Sequence, residues 1–143
     1  MENENYENAK KKAREIYNKI LRVESPKLDE PITFNKIGFR HLIRKGGKRR
    51  TKADQIRRFA LLVHAKEIIK DPETEITSTE REIEHPAFRH GSKIRVKTQT
   101  RFWSFRKITN NKSITVVVRQ LGRGTKHFFS IYDKKQRNQK AVG

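Results

Sequence analysis

Along residues 94–103, IRVKTQTRFW, hydrophobic and polar side chains alternate with a period of two. Successive side chains of a β-strand point to opposite faces of a sheet, so this alternation is typical of a strand. The two predicted faces carry five residues each: Ile94, Val96, Thr98, Thr100 and Phe102 on one, and Arg95, Lys97, Gln99, Arg101 and Trp103 on the other. The stretch therefore predicts a long strand with one basic face.

Similar patterns surround this strand. Residues 80–84 alternate Glu with Arg and Ile, and residues 114–119 and 126–133 are rich in β-branched and aromatic side chains. Gly122 and Gly124 supply a turn between the last two segments, since glycine favours turn conformations. Together these segments predict an antiparallel meander of about four strands.

The first half of the chain is predicted to be mostly helical, with a short strand and two helices over residues 32–69. Residues 2–23 repeat apolar side chains at three- and four-residue steps, with lysines on the other face, and prolines end the pattern at Pro26 and Pro31. Asn35 is placed to cap a short second helix, and Thr51 with Asp54 resembles a capping box that opens a longer one.

Helices followed by strands favour an α+β fold, with N-terminal helices packed on one face of a roughly four-stranded antiparallel sheet. Three regions are predicted: a basic amphipathic helix and linker over residues 1–28, a core over 29–135 and a flexible tail over 136–143. The tail lacks apolar periodicity, which is why it is predicted to be loose.

The charge of the chain indicates its partner. The 143 residues hold 35 Lys and Arg against 16 Asp and Glu, a formal net charge of +19. Such an excess repels itself in the compact state, and a phosphate polymer is the usual anion that offsets it. There is no cysteine, no secretory signal and no apolar run of the roughly 20 residues that span a bilayer. We therefore expect a cytoplasmic protein that binds nucleic acid and not a membrane.

Two groups of side chains are predicted to bind the nucleic acid. The first is a basic run around Gly46-Gly47, where the glycines allow a phosphate backbone to approach closely; the second is the basic face of the sheet. Solvation alone also explains such charge runs, so both interpretations stay open. The predicted nucleic-acid-binding residues are Lys45, Lys48, Arg49, Arg50, Arg95, Lys97, Arg101, Trp103 and Lys126.

A second set of residues could carry chemistry. His41 shares a helix face with Arg44 and Lys45, and neighbouring cations lower the pKa of a histidine, which favours its neutral base form. On the last two strands, Arg119, Ser130 and Tyr132 are predicted to converge on the open face if Phe129 and Ile131 are core. His127 then lies on the core side unless a β-bulge turns it.

No cofactor motif or convincing metal-ligand set is present, and none is needed to cleave RNA. The ribose 2′-hydroxyl is a built-in nucleophile, so the protein has only to position it, move protons and stabilise the phosphorane charge. We therefore predict no metal and no cofactor, with His41, Arg44, Arg119, Ser130 and Tyr132 as candidate catalytic residues.

Four segments resemble the phage-associated branch of the barnase/EndoU/colicin/RelE-like (BECR) nucleases: PITFNKIGFRHLIRK at 31–45, AKEIIKDPE at 65–73, ITVVVRQ at 114–120 and KHFFSIYD at 126–133. The resemblance covers about residues 31–133. It implies a small metal-independent ribonuclease, often a toxin, with RNA (tRNA or another structured RNA) as substrate and a cognate acidic inhibitor protein as partner.

Transferred to this chain, the family histidine falls on His41, and the polar residues of the closing strand fall on Ser130 and Tyr132. Relatives commonly place a second histidine one turn after the first, where this chain has Arg44 and Lys45, so the general base stays open.

Three functions remain after the sequence analysis. The first is a ribonuclease of toxin type that cleaves RNA by 2′-hydroxyl attack. The second is a non-catalytic module that binds RNA or DNA on the same sheet. The third is a structural protein that packages nucleic acid in a particle, for which neither His41 nor Tyr132 would matter.

Overall fold

A computed structural model describes residues 2–109 and 111–135 of the chain; the predicted tail, 136–143, lies outside them. Four α-helices lie in the first half: α1 (Glu2–Ile20), α2 (Lys36–Ile43), α3 (Lys52–Leu61) and α4 (Ala65–Lys70). A single 3-10 turn, Leu62–His64, joins α3 to α4. Among the described residues, none of the helices has the length and apolar character required to cross a membrane.

Six strands form the main sheet, in the order β1-β2-β8-β7-β6-β5. Their bounds are β1 (Arg22–Ser25), β2 (Glu30–Thr33), β5 (Glu75–Arg89), β6 (Ser92–Thr109), β7 (Lys112–Leu121) and β8 (His127–Lys135). A two-stranded hairpin, β3 (Arg44–Lys45) and β4 (Lys48–Arg49), stands apart from it.

The predicted α+β class is confirmed, but the sheet is larger than the four antiparallel strands expected. Four strands, β5 to β8, do form an antiparallel meander. The hairpin of β1 and β2 adds two more strands, and β2 runs parallel to β8 through the pair Thr33 and His127. Part of the predicted linker is thus strand β1. A strand of four residues is too short to show a period of two in the sequence.

Both predicted helix caps are present. The side chain of Asn35 accepts hydrogen bonds from the backbone of Ile37 and Gly38, and Thr51 Oγ1 accepts one from Asp54 N at 3.1 Å. These side chains satisfy backbone donors that have no partner within the helix. The caps fix where α2 and α3 begin, and so where the side chains of their first turns lie.

The hydrophobic core lies between the helices and one face of the sheet. The sheet contributes buried side chains of β6, β7 and β8, and the helices contribute four aromatic residues. Members of this core include Trp103, Phe105, Val116, Val118, Phe128 and Ile131 from the sheet, and Tyr6, Tyr17, Phe39 and Phe59 from the helices. Because Tyr6 and Tyr17 belong to α1, the predicted N-terminal region shares its core with residues 29–135.

Trp103 also shows which face of the sheet is open. Its side chain is 7% exposed and lies in the core, so the helix layer covers the face of Trp103 rather than that of Phe102. By alternation along β6, Arg95 and Arg101 share the face of Trp103. The predicted basic face of β6 is thus buried only at Trp103, because the other residues of this face, Arg95, Lys97, Gln99 and Arg101, are exposed.

Strands β5 and β6 continue past β7. Strand β6 pairs with β7 only from Thr100 onward. Its pairing with β5 extends further, to Ser92, which lies opposite Arg89. The extension, residues 83–98, is a two-stranded arm. His90 and Gly91, both with positive φ, form its turn, which matches the tight turns that suit the twist of a hairpin.

Candidate nucleic-acid site at the edge of the sheet

A β-bulge in β8 decides which side chains reach the open face. Val117 pairs with Ser130 and Val118 pairs with Phe128, so Phe129 is an extra residue with no partner in the register. The extra residue inverts the alternation, which brings Phe128 into the core and turns His127 to the side of Arg119. Ser130 keeps its place opposite Val117 on the open face.

Helix α2 covers the edge of β8 next to the bulge. A Cβ atom at Gly38 would lie 2.4 Å from the backbone oxygen of Phe128, a distance that a side chain cannot occupy. Only glycine allows α2 to approach the strand this closely. The close approach brings His41, one turn later, against the bulge.

His41 lies against the extra residue of the bulge. Its ring centroid is 3.9 Å from that of Phe129, and its backbone oxygen accepts a hydrogen bond from Arg50 Nε at 3.0 Å. Arg50 Nη2 lies 3.5 Å from His41 Nδ1. A guanidinium only donates, so this contact fits Nδ1 as the acceptor and Nε2 as the protonated nitrogen.

The surroundings of His41 keep it neutral. Burial, followed by the charges of Arg50, Arg58, Arg119 and Lys45, lowers its pKa from 6.5 to about 4. Both causes disfavour the imidazolium, because it would be poorly solvated and repelled by its neighbours. At pH 7 the ring therefore holds one lone pair, on Nδ1, where the long 3.5 Å contact with Arg50 Nη2 lies.

Arg58 crosses from α3 to the bulged strand. Its Nη1 donates to Ser130 Oγ at 2.9 Å and to the backbone oxygen of Ile131 at 3.1 Å, and its Nε lies 3.2 Å from Asp54 Oδ1. The hydrogen bond to Ile131 gives a backbone acceptor at the edge of β8 a partner, and the three contacts together fix the orientation of the guanidinium. Ser130, 5% exposed, thus positions Arg58.

Arg119 is held by its neighbour on β8. Its Nε donates to Nε2 of His127 at 3.1 Å, and its Cζ atom lies 4.4 Å from the centroid of Phe129. Burial, followed by the charge of Arg119, lowers the pKa of His127 to about 4, so the ring is a neutral acceptor at pH 7. His127 therefore orients Arg119 over the same ring that His41 contacts.

The result is a cluster that we call the cationic site: His41, Arg50, Arg58, Arg119 and Phe129. Asp54 is the one carboxylate with an ion pair to these arginines among the described residues, at 3.4 Å from Arg50 and 3.2 Å from Arg58. Burial lowers the pKa of both Arg50 and Arg119. Three partly desolvated guanidiniums with a single counter-charge form an environment that favours an anion.

The candidate catalytic residues are placed as follows. His41, Arg119 and Ser130 come together around the bulge, and their catalytic role stays a prediction. Tyr132 is 39% exposed and lines a depression with Arg58 and Asp54 next to the site. Arg44 lies on the hairpin β3–β4 with an exposed side chain, outside the cluster.

The predicted nucleic-acid-binding residues are more scattered. Arg50 belongs to the cationic site, and Lys45 acts on it only through its charge. Arg49 lies over the ring of Tyr6, Lys48 is exposed on the hairpin, and Trp103 is core. Ion pairs or facing carboxylates on other strands accompany the remaining four: Arg95 with Glu84, Lys97 opposite Glu84, Arg101 with Glu80, and the buried Lys126 with Glu30.

Sequence reasoning missed Arg58, Phe129, His127 and Asp54 as members or supports of the site. Asp54 was interpreted only as a helix-capping residue. Arg58 sits on the polar side of a helix, where its reach to β8 leaves no local pattern. The adjacent phenylalanines at 128–129 give no signal for the bulge, because neighbouring residues of a regular strand also point to opposite faces.

Among residues 2–109 and 111–135, no three His, Cys, Asp or Glu side chains are grouped closely enough to hold a metal ion. Comparison with protein-family models, with curated proteins and with solved structures finds no match to this chain. The resemblance to BECR nucleases therefore stays a prediction, and the geometry of the cationic site is what bears on function.

Proposed function

We propose that the protein is a metal-independent ribonuclease of toxin type that cleaves RNA at the cationic site. The observation that carries this proposal is a neutral histidine surrounded by three guanidiniums, at the junction of α2, α3 and the bulged strand. A phosphodiester fits between the guanidiniums, because arginine pairs well with phosphate oxygens. The neutral ring is then in position to accept a proton.

The proposed reaction uses the substrate's own nucleophile. His41 Nδ1 exchanges its long contact with Arg50 for the ribose 2′-hydroxyl and takes its proton. The 2′-oxygen bonds to phosphorus, and the bond from phosphorus to the 5′-oxygen breaks. The 5′-oxygen takes a proton from solvent, and the products carry a 2′,3′-cyclic phosphate and a 5′-hydroxyl. Arg58 and Arg119 stabilise the charge that develops on the phosphorane oxygens.

Phosphate binding would also change the pKa of His41, the proposed base. The charges of Arg50, Arg58 and Arg119 contribute to the low pKa of His41. A bound phosphodiester offsets part of this positive field, so the pKa of His41 rises toward neutrality in the complex. A base whose pKa approaches the working pH is more effective in proton transfer. His41 would thus become a stronger base once substrate is bound.

The test is a single-turnover cleavage assay on end-labelled RNA, with DNA of the same sequence as a second substrate and with excess chelator. We expect RNA cleavage that survives the chelator and leaves a 2′,3′-cyclic phosphate, and no cleavage of DNA. His41→Ala should slow cleavage by roughly 10²–10⁴-fold. His64→Ala is the matched control, since His64 is exposed after α3.

Three results would count against the proposal. Full activity of His41→Ala would contradict the role of the histidine, and loss of activity with chelator would contradict the mechanism. RNA that is retarded on a gel but never shortened would favour a non-catalytic nucleic-acid-binding module. Stoichiometric coating of RNA of any length, independent of His41, would favour a packaging protein.

A further inference from the structure

A line of ring contacts leads out of the cationic site along the open face. The ring of Phe102 lies 5.8 Å from that of Phe129, in an edge-on arrangement, and Arg81 Cζ lies 4.7 Å from the centroid of Phe102. Phe102 is 8% exposed and lies outside the hydrophobic core between sheet and helices. The line therefore connects the site to the base of the arm.

The two faces of the arm and its base differ in charge. On the face of Trp103, Arg95 Nε lies 2.9 Å from Glu84 Oε1, and Arg101 Nη2 lies 2.8 Å from Glu80 Oε2. On the face of Phe102, the side chains that β5 contributes hold no carboxylate from position 77 to position 87: Thr77, Thr79, Arg81, Ile83, His85 and Ala87. Arg81 has no ion pair to any carboxylate of the described residues.

The same face of the arm is also apolar and accessible. Ile83 lies opposite Thr98, and Ala87 lies opposite Ile94, which is 37% exposed. A cation held over an aromatic ring, next to a strip of aliphatic and threonine side chains, combines a group that binds phosphate with a surface that contacts bases. From Arg81 to Arg89 the strand extends about 26 Å, at roughly 3.3 Å per residue.

We propose that this surface binds the single-stranded RNA that flanks the bond cleaved at the cationic site. We call it the arm track: Arg81, Ile83, Ala87 and Ile94, with Phe102 at its base. The proposal rests on the proposed function for the location of the cleaved bond. Unpaired RNA is the occupant that fits, because its bases are free to lie on side chains while a neighbouring cation contacts the backbone. A duplex keeps its bases stacked and paired, out of reach of the aliphatic strip.

The experiment measures affinity separately from cleavage. The probes are a single-stranded 12-nucleotide RNA and a trinucleotide, both 2′-O-methylated so that the internal nucleophile is blocked. Arg81→Ala should weaken binding of the longer RNA on the order of tenfold at low salt and reduce its salt slope by about 0.7, as expected for one lost phosphate contact. The trinucleotide, which is too short to leave the cationic site, should bind all variants equally.

Arg106→Ala is the matched control. Arg106 lies on β6 as an exposed arginine, but Glu75 pairs with it at 3.4 Å, so its charge is already offset. Ile94→Ser tests the apolar strip and should also weaken only the longer RNA. Equal affinities of Arg81→Ala and Arg106→Ala for the longer RNA would overturn the arm track. So would a duplex of the same length that binds as tightly as the single strand and depends equally on Arg81.

These outcomes are distinguishable from failure of the proposed function. Cleavage that depends on His41 while Arg81→Ala binds normally would remove the arm track and leave the ribonuclease. Binding that depends on Arg81 with no cleavage of unmodified RNA would remove the ribonuclease and leave the arm track as a single-strand binding surface.

Discussion

Two groups of arginines, one on strand β6 and one gathered around the bulge of β8, are held in opposite ways. Arg95 and Arg101, on the face of Trp103, are exposed and each contacts one glutamate across the strand pair. In the cationic site, the side chains of Arg50 and Arg58 are 7% and 15% exposed and share the single carboxylate of Asp54, while Arg119 is oriented by a histidine. The exposed pairs neutralise themselves, whereas the buried group keeps a surplus of positive charge.

This difference shows why a net charge of +19 does not by itself locate a binding surface. An exposed arginine with a glutamate partner stays well solvated, and the pair contributes little to stability or to binding. Burying several guanidiniums around one carboxylate costs free energy, which the fold recovers only when an anion arrives. The positions where cations are desolvated together are therefore better candidates than the positions where they are most numerous.

The largest effect expected from this comparison is the response of RNA binding to salt. Affinity should fall on the order of a thousandfold between about 50 and 200 mM salt, because several phosphate contacts release counterions. Arg119→Ala should flatten the slope of log affinity against log salt by about 0.7, and Arg101→Ala should leave the slope unchanged. A filter-binding titration at several salt concentrations measures both. Equal slopes for the two variants would show that the buried and exposed arginines are equivalent.

The next effect concerns pH and separates the free site from the occupied one. In the free protein the pKa of His41 is lowered to about 4. Values of kcat/KM should therefore stay constant from pH 7 down to near pH 4 and then fall about tenfold per pH unit, since protonation removes the base. The fall in kcat should begin at a higher pH, because bound phosphate raises the pKa of His41.

A pH series of initial rates tests this, with RNA below and above saturation. Coincident profiles for kcat and kcat/KM would contradict the idea that phosphate and the guanidiniums offset each other. His127→Gln is the control. The pKa of His127 is lowered first by burial, and its ring only orients Arg119. The substitution should therefore lower kcat without moving the pH profile of kcat or of kcat/KM.

The fold class was predictable from the sequence because long strands and capped helices leave local patterns. The alternation at residues 94–103 and the caps at Asn35 and Thr51 needed no tertiary information. The short strand predicted near Ile32 is β2. Strand β1 was not predictable in the same way, since its four residues depend on pairing with β2 for their stability.

The candidate site was predictable only in part, for a reason that lies in one residue. Phe129 is an extra residue in β8, so the residues before it, His127 and Phe128, lie on the faces opposite to those that strict alternation predicts. His41, Arg119 and Ser130 were found because they are polar residues in apolar segments. Arg58 was not found, because its partners on β8 lie more than 70 positions away.

The smallest expected effect is on stability, and it comes from the carboxylates that pair with the two arginine groups. Asp54→Asn removes the counter-charge of two mostly buried guanidiniums and an acidic side chain from the first turn of α3, so stability should fall by about 1–3 kcal/mol. Glu80→Gln breaks an exposed pair with Arg101 and should cost about 0.2–1 kcal/mol. Urea unfolding measures both values.

The two variants should also differ in their affinity for the 2′-O-methylated RNA. Asp54→Asn increases the positive surplus of the cationic site, so it should bind RNA more tightly while being less stable, whereas Glu80→Gln should bind as the unaltered protein does. Opposite signs for stability and affinity are expected when buried cations are assembled for a ligand. If Asp54→Asn weakens binding in proportion to its loss of stability, the carboxylate serves the fold alone, and the two groups of arginines differ in burial but not in purpose.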